Sequence, residues 1–244
     1  MKRFWTIAIP CIVMLCMGCA GPNKMRMPLA EIDRPIVDPK GTWSIKPGVS
    51  TAIAIIDTVT YRSFTIGDYD GLFFYPSYSL TDNLSLPYIP FPYLVWQLTK
   101  SPLVDTTARY KWQFALGAGT TGIWPDFARG KIEFLWKKRL SPAVWYEGGI
   151  NSFFAYIYYG KKMITQPPGI SNMIGFQLSP KASVESSIGL VYVGGYNWLA
   201  GSGAFNFHYC FSQWFSLNVG SGMGFAPSRK ATSIDLNIGS EFYW

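Results

Sequence analysis

His208 is the single histidine of a 244-residue chain. An unperturbed imidazole titrates near neutral pH, which suits a histidine to act as a general base. Two hydroxyls, Ser212 and Ser216, follow it closely, and two carboxylates, Asp235 and Glu241, lie further on. A nucleophile, a base and an orienting acid are the parts needed for hydrolysis through an activated serine. The local strings that hold such groups in place are missing. There is no Gly-x-Ser-x-Gly elbow and no His-x-Ser-Asn string. The same residue types also pair and hydrate a polar interior. We adopt that reading, assign no catalytic residue, and keep a lipid-modifying hydrolase using His208 as the alternative. Metal chemistry has little support. Of four cysteines, Cys11, Cys16 and Cys19 crowd the first 19 residues and only Cys210 lies in the body. A thiolate or imidazole metal site needs several such ligands at short spacing, and a disulfide framework needs more cysteines. No metal and no cofactor is expected.

The elements that must position these residues show a period of two. Ile234, Leu236, Ile238, Phe242 and Trp244 share one parity, and Asp235, Asn237, Gly239 and Glu241 the other. Alternate side chains of a strand point to opposite faces, so this segment has one apolar and one polar face. Phe215, Leu217, Val219, Met223 and Phe225 alternate with Ser216, Asn218, Gly220, Gly222 and Gly224. Phe205, Phe207, Tyr209 and Phe211 alternate with Asn206, His208 and Cys210, and Ile132, Phe134 and Trp136 with Lys131, Glu133 and Lys137. Trp112, Phe114 and Leu116 alternate with Lys111, Gln113 and Ala115. The polar parity collects Lys111, Glu133, Glu147, Glu185, Asn206, His208, Asn218, Asp235 and Glu241.

Short turns recur between these strands: Leu80 to Leu86, Leu178 to Val184, Phe211 to Leu217, and the shorter Leu140 to Val144. Each carries a hydroxyl placed to cap a tight reversal. The opposite connections read as longer, at roughly 87–92, 121–127, 157–170, 195–202 and 226–230. Tight turns at one end and longer loops at the other are the layout of a transmembrane β-barrel.

Composition agrees. Charged residues are 14% of the chain, hydrophobic 49% and aromatic 17%. An ordinary soluble domain is about 25% charged. Gly and Pro are too frequent for long helices, and the mean hydropathy of +0.13 is low for a helical membrane protein. The net charge of +7 is scattered, with one short run at Lys137-Lys138-Arg139, which excludes the clustered patch of a nucleic-acid binder.

The N-terminus begins Met1-Lys2-Arg3, continues with an apolar run from Phe4 to Met17, and ends in Gly18-Cys19-Ala20. A basic start, a short apolar stretch and a small-residue site make a secretory leader. Leu15-Cys16-Met17-Gly18-Cys19 resembles the lipobox of bacterial lipoproteins. That resemblance implies cleavage before Cys19 and a lipid on its thiol, and Ala20 implies sorting to the outer membrane. Cleavage after Ala20 is the competing reading. The domains are then a lipoprotein signal peptide over 1–18, a Pro-rich tether over 19–41, and a barrel over 42–244.

The alternating last strand, closing on Phe242 and Trp244, and the turn Tyr78 to Leu86 resemble the outer-membrane β-barrel proteins of Gram-negative bacteria. The resemblance covers about residues 34–244. It implies an all-β, antiparallel up-and-down barrel, with Phe242 and Trp244 as its assembly signal. Spacing predicts about twelve strands, with ten as the alternative, and reads 83–99 as a loop between short strands because Pro87, Pro90 and Pro92 interrupt the ladder. The charge-free stretch from Ser186 to Ser228 raised membrane helices as another reading, and a lipid-anchored soluble β-sandwich binding protein is a third. The expected function is an outer-membrane barrel lipoprotein with a pore, small-solute transport or structural role. Its partners would be outer-membrane lipid and the machinery that processes lipoproteins and assembles barrels.

Overall fold

A computed structural model describes residues 27–56, 59–67, 76–87, 89, 91–123, 127–158, 161–165, 168–193, 198–227 and 230–244. The leader, Cys19 and the first part of the expected tether lie outside the described residues. Fifteen strands form one sheet. They are β1 (Trp43–Ile45), β2 (Gly48–Ile56), β3 (Val59–Gly67), β4 (Ser77–Thr81), β5 (Leu84–Leu86), β6 (Tyr93–Gln97), β7 (Gln113–Ile123), β8 (Phe127–Arg139), β9 (Val144–Ile157), β10 (Lys162–Thr165), β11 (Gly169–Ser179), β12 (Ala182–Val193), β13 (Trp198–Ser212), β14 (Phe215–Ala226) and β15 (Ala231–Tyr243).

These segments make twelve staves. β1 and β2 both pair with β15 and are one stave broken at Lys46-Pro47. Proline has no N–H for the ladder, and Ser240 N instead donates to Pro47 O at 2.8 Å. β3 pairs β2 while β4 pairs β1, so they too follow a single line. β10 folds back on β9. Every pairing is antiparallel, and the last strand meets the first, so the sheet closes as a twelve-strand barrel. At that seam Trp43 and Trp244 exchange both backbone hydrogen bonds, at 2.8 and 3.0 Å, and their rings stack with centroids 6.5 Å apart.

The alternation has a physical consequence. Ile234, Leu236 and Ile238 are each more than half exposed, while Asp235, Asn237 and Gly239 between them turn inward. Ile132, Ile188, Leu199, Phe205 and Met223 are exposed in the same way on other strands. An apolar band of that extent facing water would be unstable; facing lipid it is the stabilising surface. The stretch from Ser186 to Ser228, weighed as helices, is the strands β12 to β14.

The expected turn hydroxyls do cap their turns. Ser179 Oγ accepts from Lys181 N and Ala182 N, Ser212 Oγ from Trp214 N, Ser141 Oγ from Ala143 N, and Thr81 Oγ1 from Asn83 N, all at 3.1–3.3 Å. A register shift precedes three of these turns, at Ser79/Thr81, Gln177/Ser179 and Cys210/Ser212. Such bulges turn the strand toward the reversal. The opposite end departs from expectation. Loops read at 121–127, 157–170 and 195–202 are partly strand, because the backbone ladder continues after the apolar parity fades. The long connection lies at the tight-turn end instead, between β6 and β7, and holds a 3₁₀ turn at Thr106–Ala108.

Candidate functional site: the lumen and its N-terminal segment

The stretch from residue 27 to 41, read from sequence as part of a tether, packs inside the barrel at its tight-turn end. Met27, Ile32, Arg34 and Val37 are buried. The sequence could not show this, because an extended Pro-rich chain looks alike whether it is solvated or clasped. Val37 packs with Tyr93, Val95 and Ala115, and Val37 N donates to Gln97 Oε1 at 3.1 Å. Ile32 N donates to Gln177 Oε1 at 3.1 Å, Lys40 N to Asp82 Oδ1 at 2.9 Å, and Gly41 N to Ser79 O at 2.8 Å. These residues form no strand, so the wall satisfies their backbone, with three side-chain acceptors and the Ser79 carbonyl.

Two charged groupings hold the segment. In the first, Arg34 reaches Glu31 at 3.0 Å, Glu241 at 2.9 Å, the Tyr243 hydroxyl at 3.1 Å and Cys210 Sγ at 2.9 Å. Lys46 Nζ pairs with the other Glu241 oxygen at 3.2 Å. His208 places Nδ1 3.3 Å from Glu31 and Nε2 3.6 Å from Glu241. In the second, Asp33 is gripped by Arg109 and Arg139.

Glu133, Glu147, Glu185, Asn206, His208, Asn218, Asp235 and Glu241 all lie at paired register positions within strands. Lys111 differs. It is exposed in the connection ahead of Gln113, where β7 begins, so strand alternation does not govern it. His208 and Glu241 come together. Asp235 sits further along β15, opposite Gly222 and Ala52. Ser216 Oγ donates to Glu241 at 3.2 Å, and Ser212 caps its turn. Both imidazole nitrogens therefore face carboxylates, and neither Ser212 nor Ser216 bonds to the ring. The described residues contain no group of three or more His, Cys, Asp or Glu fit to hold a metal. Asp33, Lys46 and Arg109 were not singled out in the sequence. No local motif marks them, since their partners are 70 to 200 residues away.

Further along the lumen, β13 to β15 present small residues inward. Polar side chains there lie over glycines. A Cβ on Gly222 would stand 2.6 Å from Asp235 Oδ2, one on Gly220 2.9 Å from Asn237 Oδ1, and one on Gly224 2.6 Å from Ser233 Oγ. Asn218 covers Gly239 in the same way. The polar groups are thus laid along the wall and do not project across the bore.

No protein-family model matches the chain, and no curated protein matches its sequence. Solved structures do match in shape. An outer membrane channel from Pseudomonas putida F1 aligns with a TM-score of 0.56 at 9% identity, covering 92% of this chain and 100% of that one. The NanC porin aligns with a TM-score of 0.46 at 10% identity, covering 82% of this chain and 98% of that one. At such identity the likeness is one of fold, and the fold is the closed antiparallel barrel of outer-membrane proteins.

Proposed function

We propose that the protein is a pore for small polar solutes in the bacterial outer membrane, with its bore narrowed by residues 27–41 and its N-terminus anchored by a lipid on Cys19. The observation that carries the pore is the flat polar wall over Gly220, Gly222, Gly224 and Gly239. A barrel built only as a scaffold gains by filling its interior, since packed side chains add dispersion contacts. Glycines that let polar groups lie flat keep space and hydration instead. The apolar outer band and the outer-membrane fold support the location. The lipid anchor rests on the leader residues, and with it go the lipoprotein-processing and barrel-assembly machineries as partners.

Reconstitution of the full chain in planar bilayers tests the pore. Discrete conductance steps are the expected outcome, and a persistently silent, folded barrel would overturn it. Mass analysis of the mature N-terminus tests the anchor: a lipidated Cys19 supports it, and an unmodified chain starting at Gly21 removes it.

A further inference from the structure

The inward positions of β8 are Arg129, Lys131, Glu133, Leu135, Lys137 and Arg139, spaced about 6.8 Å apart along the lumen. Four of these six are cations, and each has an aromatic ring beside it. Arg129 lies 4.4 Å and Lys131 5.7 Å from the Phe153 centroid, Lys137 5.8 Å from Trp145, and Arg139 5.3 Å from Tyr110. Glu133 interrupts the row, but Lys131 at 2.6 Å and the Tyr93 hydroxyl at 2.5 Å take up its charge. Glu147, on the neighbouring β9, pairs with Lys137 at 3.4 Å, and Asp235 and Glu185 stand on β15 and β12.

The two inner cations already hold oxygens of the N-terminal segment. Lys137 Nζ donates to the Glu31 carbonyl at 3.2 Å, and Arg139 Nη1 to the Asp33 carboxylate. Arg109 adds two parallel bonds to that carboxylate, at 2.9 and 2.6 Å. Arg139 is pre-set by the Ser141 and Pro142 carbonyls, at 3.1 and 2.7 Å. A pair of oriented guanidiniums is matched to a carboxylate in shape and charge. The site is built, and a carboxylate of the chain itself sits in it.

We propose that the inward face of β8 is a recognition strip for small organic carboxylates, with Arg129 and Lys131 as its outer stations and Asp33 as the resident carboxylate at its inner end. Passage of such solutes rests on the pore reading above; their binding does not.

The test uses the refolded full chain and radiolabelled succinate, alongside bilayer recordings in a potassium chloride gradient. Succinate is expected to bind. R129Q/K131Q should weaken it about tenfold, while R129K/K131R stays within about twofold. D33N, which empties the clamp of its charge, should tighten it. Heat-modifiable mobility confirms that each variant is folded, and R129Q alone serves if the double variant is not. A reversal potential shifted toward chloride, and lost in R129Q/K131Q, supports the strip further. Wild type that binds no succinate, or a folded double variant that binds it unchanged, overturns the strip even if the barrel conducts. Succinate binding that depends on these residues in a barrel that never conducts leaves the strip standing and removes the pore.

Discussion

Arg34 meets Glu31, Glu241, Tyr243 and Cys210 at once, and its side chain is almost wholly buried. Removing one partner of a buried charged network leaves the others desolvated and unpaired, at a cost of about 3–5 kcal/mol. Arg34→Ala is therefore expected to free the N-terminal segment while the barrel stays closed. Cys210 is fully buried beneath Arg34, so it reports this directly. A lumen-permeant maleimide should leave Cys210 unlabelled in the folded wild type and modify it in Arg34→Ala, as read from the mass of its peptide. Equal labelling of both would show that Arg34 does not hold the segment. At the tight-turn end, Asp105 accepts from the Thr107 hydroxyl at 2.6 Å and Thr107 N at 3.0 Å. These bonds hold its carboxyl below the usual range. Its contribution is fully present above the unfolded value of about 3.9 and is lost as pH falls through the lower folded value. The protection of the Thr106–Ala108 amides, taken relative to the free-chain exchange rate at each pH, should fall only in that acid window, and Asp105→Asn should remove that fall. The polar parity that His208 shares with Asn206 was legible in the sequence. That its ring faces two carboxylates was not, because one comes from β15 and the other from a segment that follows no parity.

At the scale of strands and turns, the capping hydroxyls and the glycines do most of the positioning. Ser179 accepts two backbone N–H groups, so Ser179→Ala should cost about 1 kcal/mol, measured as a lower urea midpoint for the barrel refolded in lipid. Gly222 lies beneath Asp235, and Gly222→Val would push that carboxylate off the wall. Single-channel conductance should fall in Gly222→Val, while the outward substitution Met223→Leu should leave it unchanged. Equal conductance in both would show that the flat wall does not set the bore. Gly119 has φ +142° and would place a Cβ against Pro92 O. It lies at the contact where Thr120 N donates to Pro92 O at 3.2 Å. The strands that alternate cleanly, such as β14 and β15, were legible because lipid on one side and water on the other impose period two. β10 and the outer ends of β9 and β13 were not, since beyond the apolar band only the backbone ladder defines a strand.

The whole molecule is a closed antiparallel barrel with the described part of its N-terminal segment drawn inside. Closure removes every edge within the lipid, which is the condition for a sheet to cross a membrane. Phe242 and Trp244, read as an assembly signal, lie on the seam where the last strand meets the first. Trp244→Ala is expected to slow folding into lipid vesicles and to lower the temperature at which gel mobility changes, because the stacked pair with Trp43 is lost.

The short strands β5, β6 and β10 aside, the sequence by itself determined the long alternating strands, the capped tight turns and a count near twelve. Each of these follows from a local pattern repeated every second residue or every hairpin. Only the tertiary structure decided what fills the lumen. Asp33 between Arg109 and Arg139, Arg34 against Cys210 and Glu241, and the row of cations on β8 are brought together by closure of the sheet. Contacts set by closure join residues far apart in the chain, and no local spacing records them.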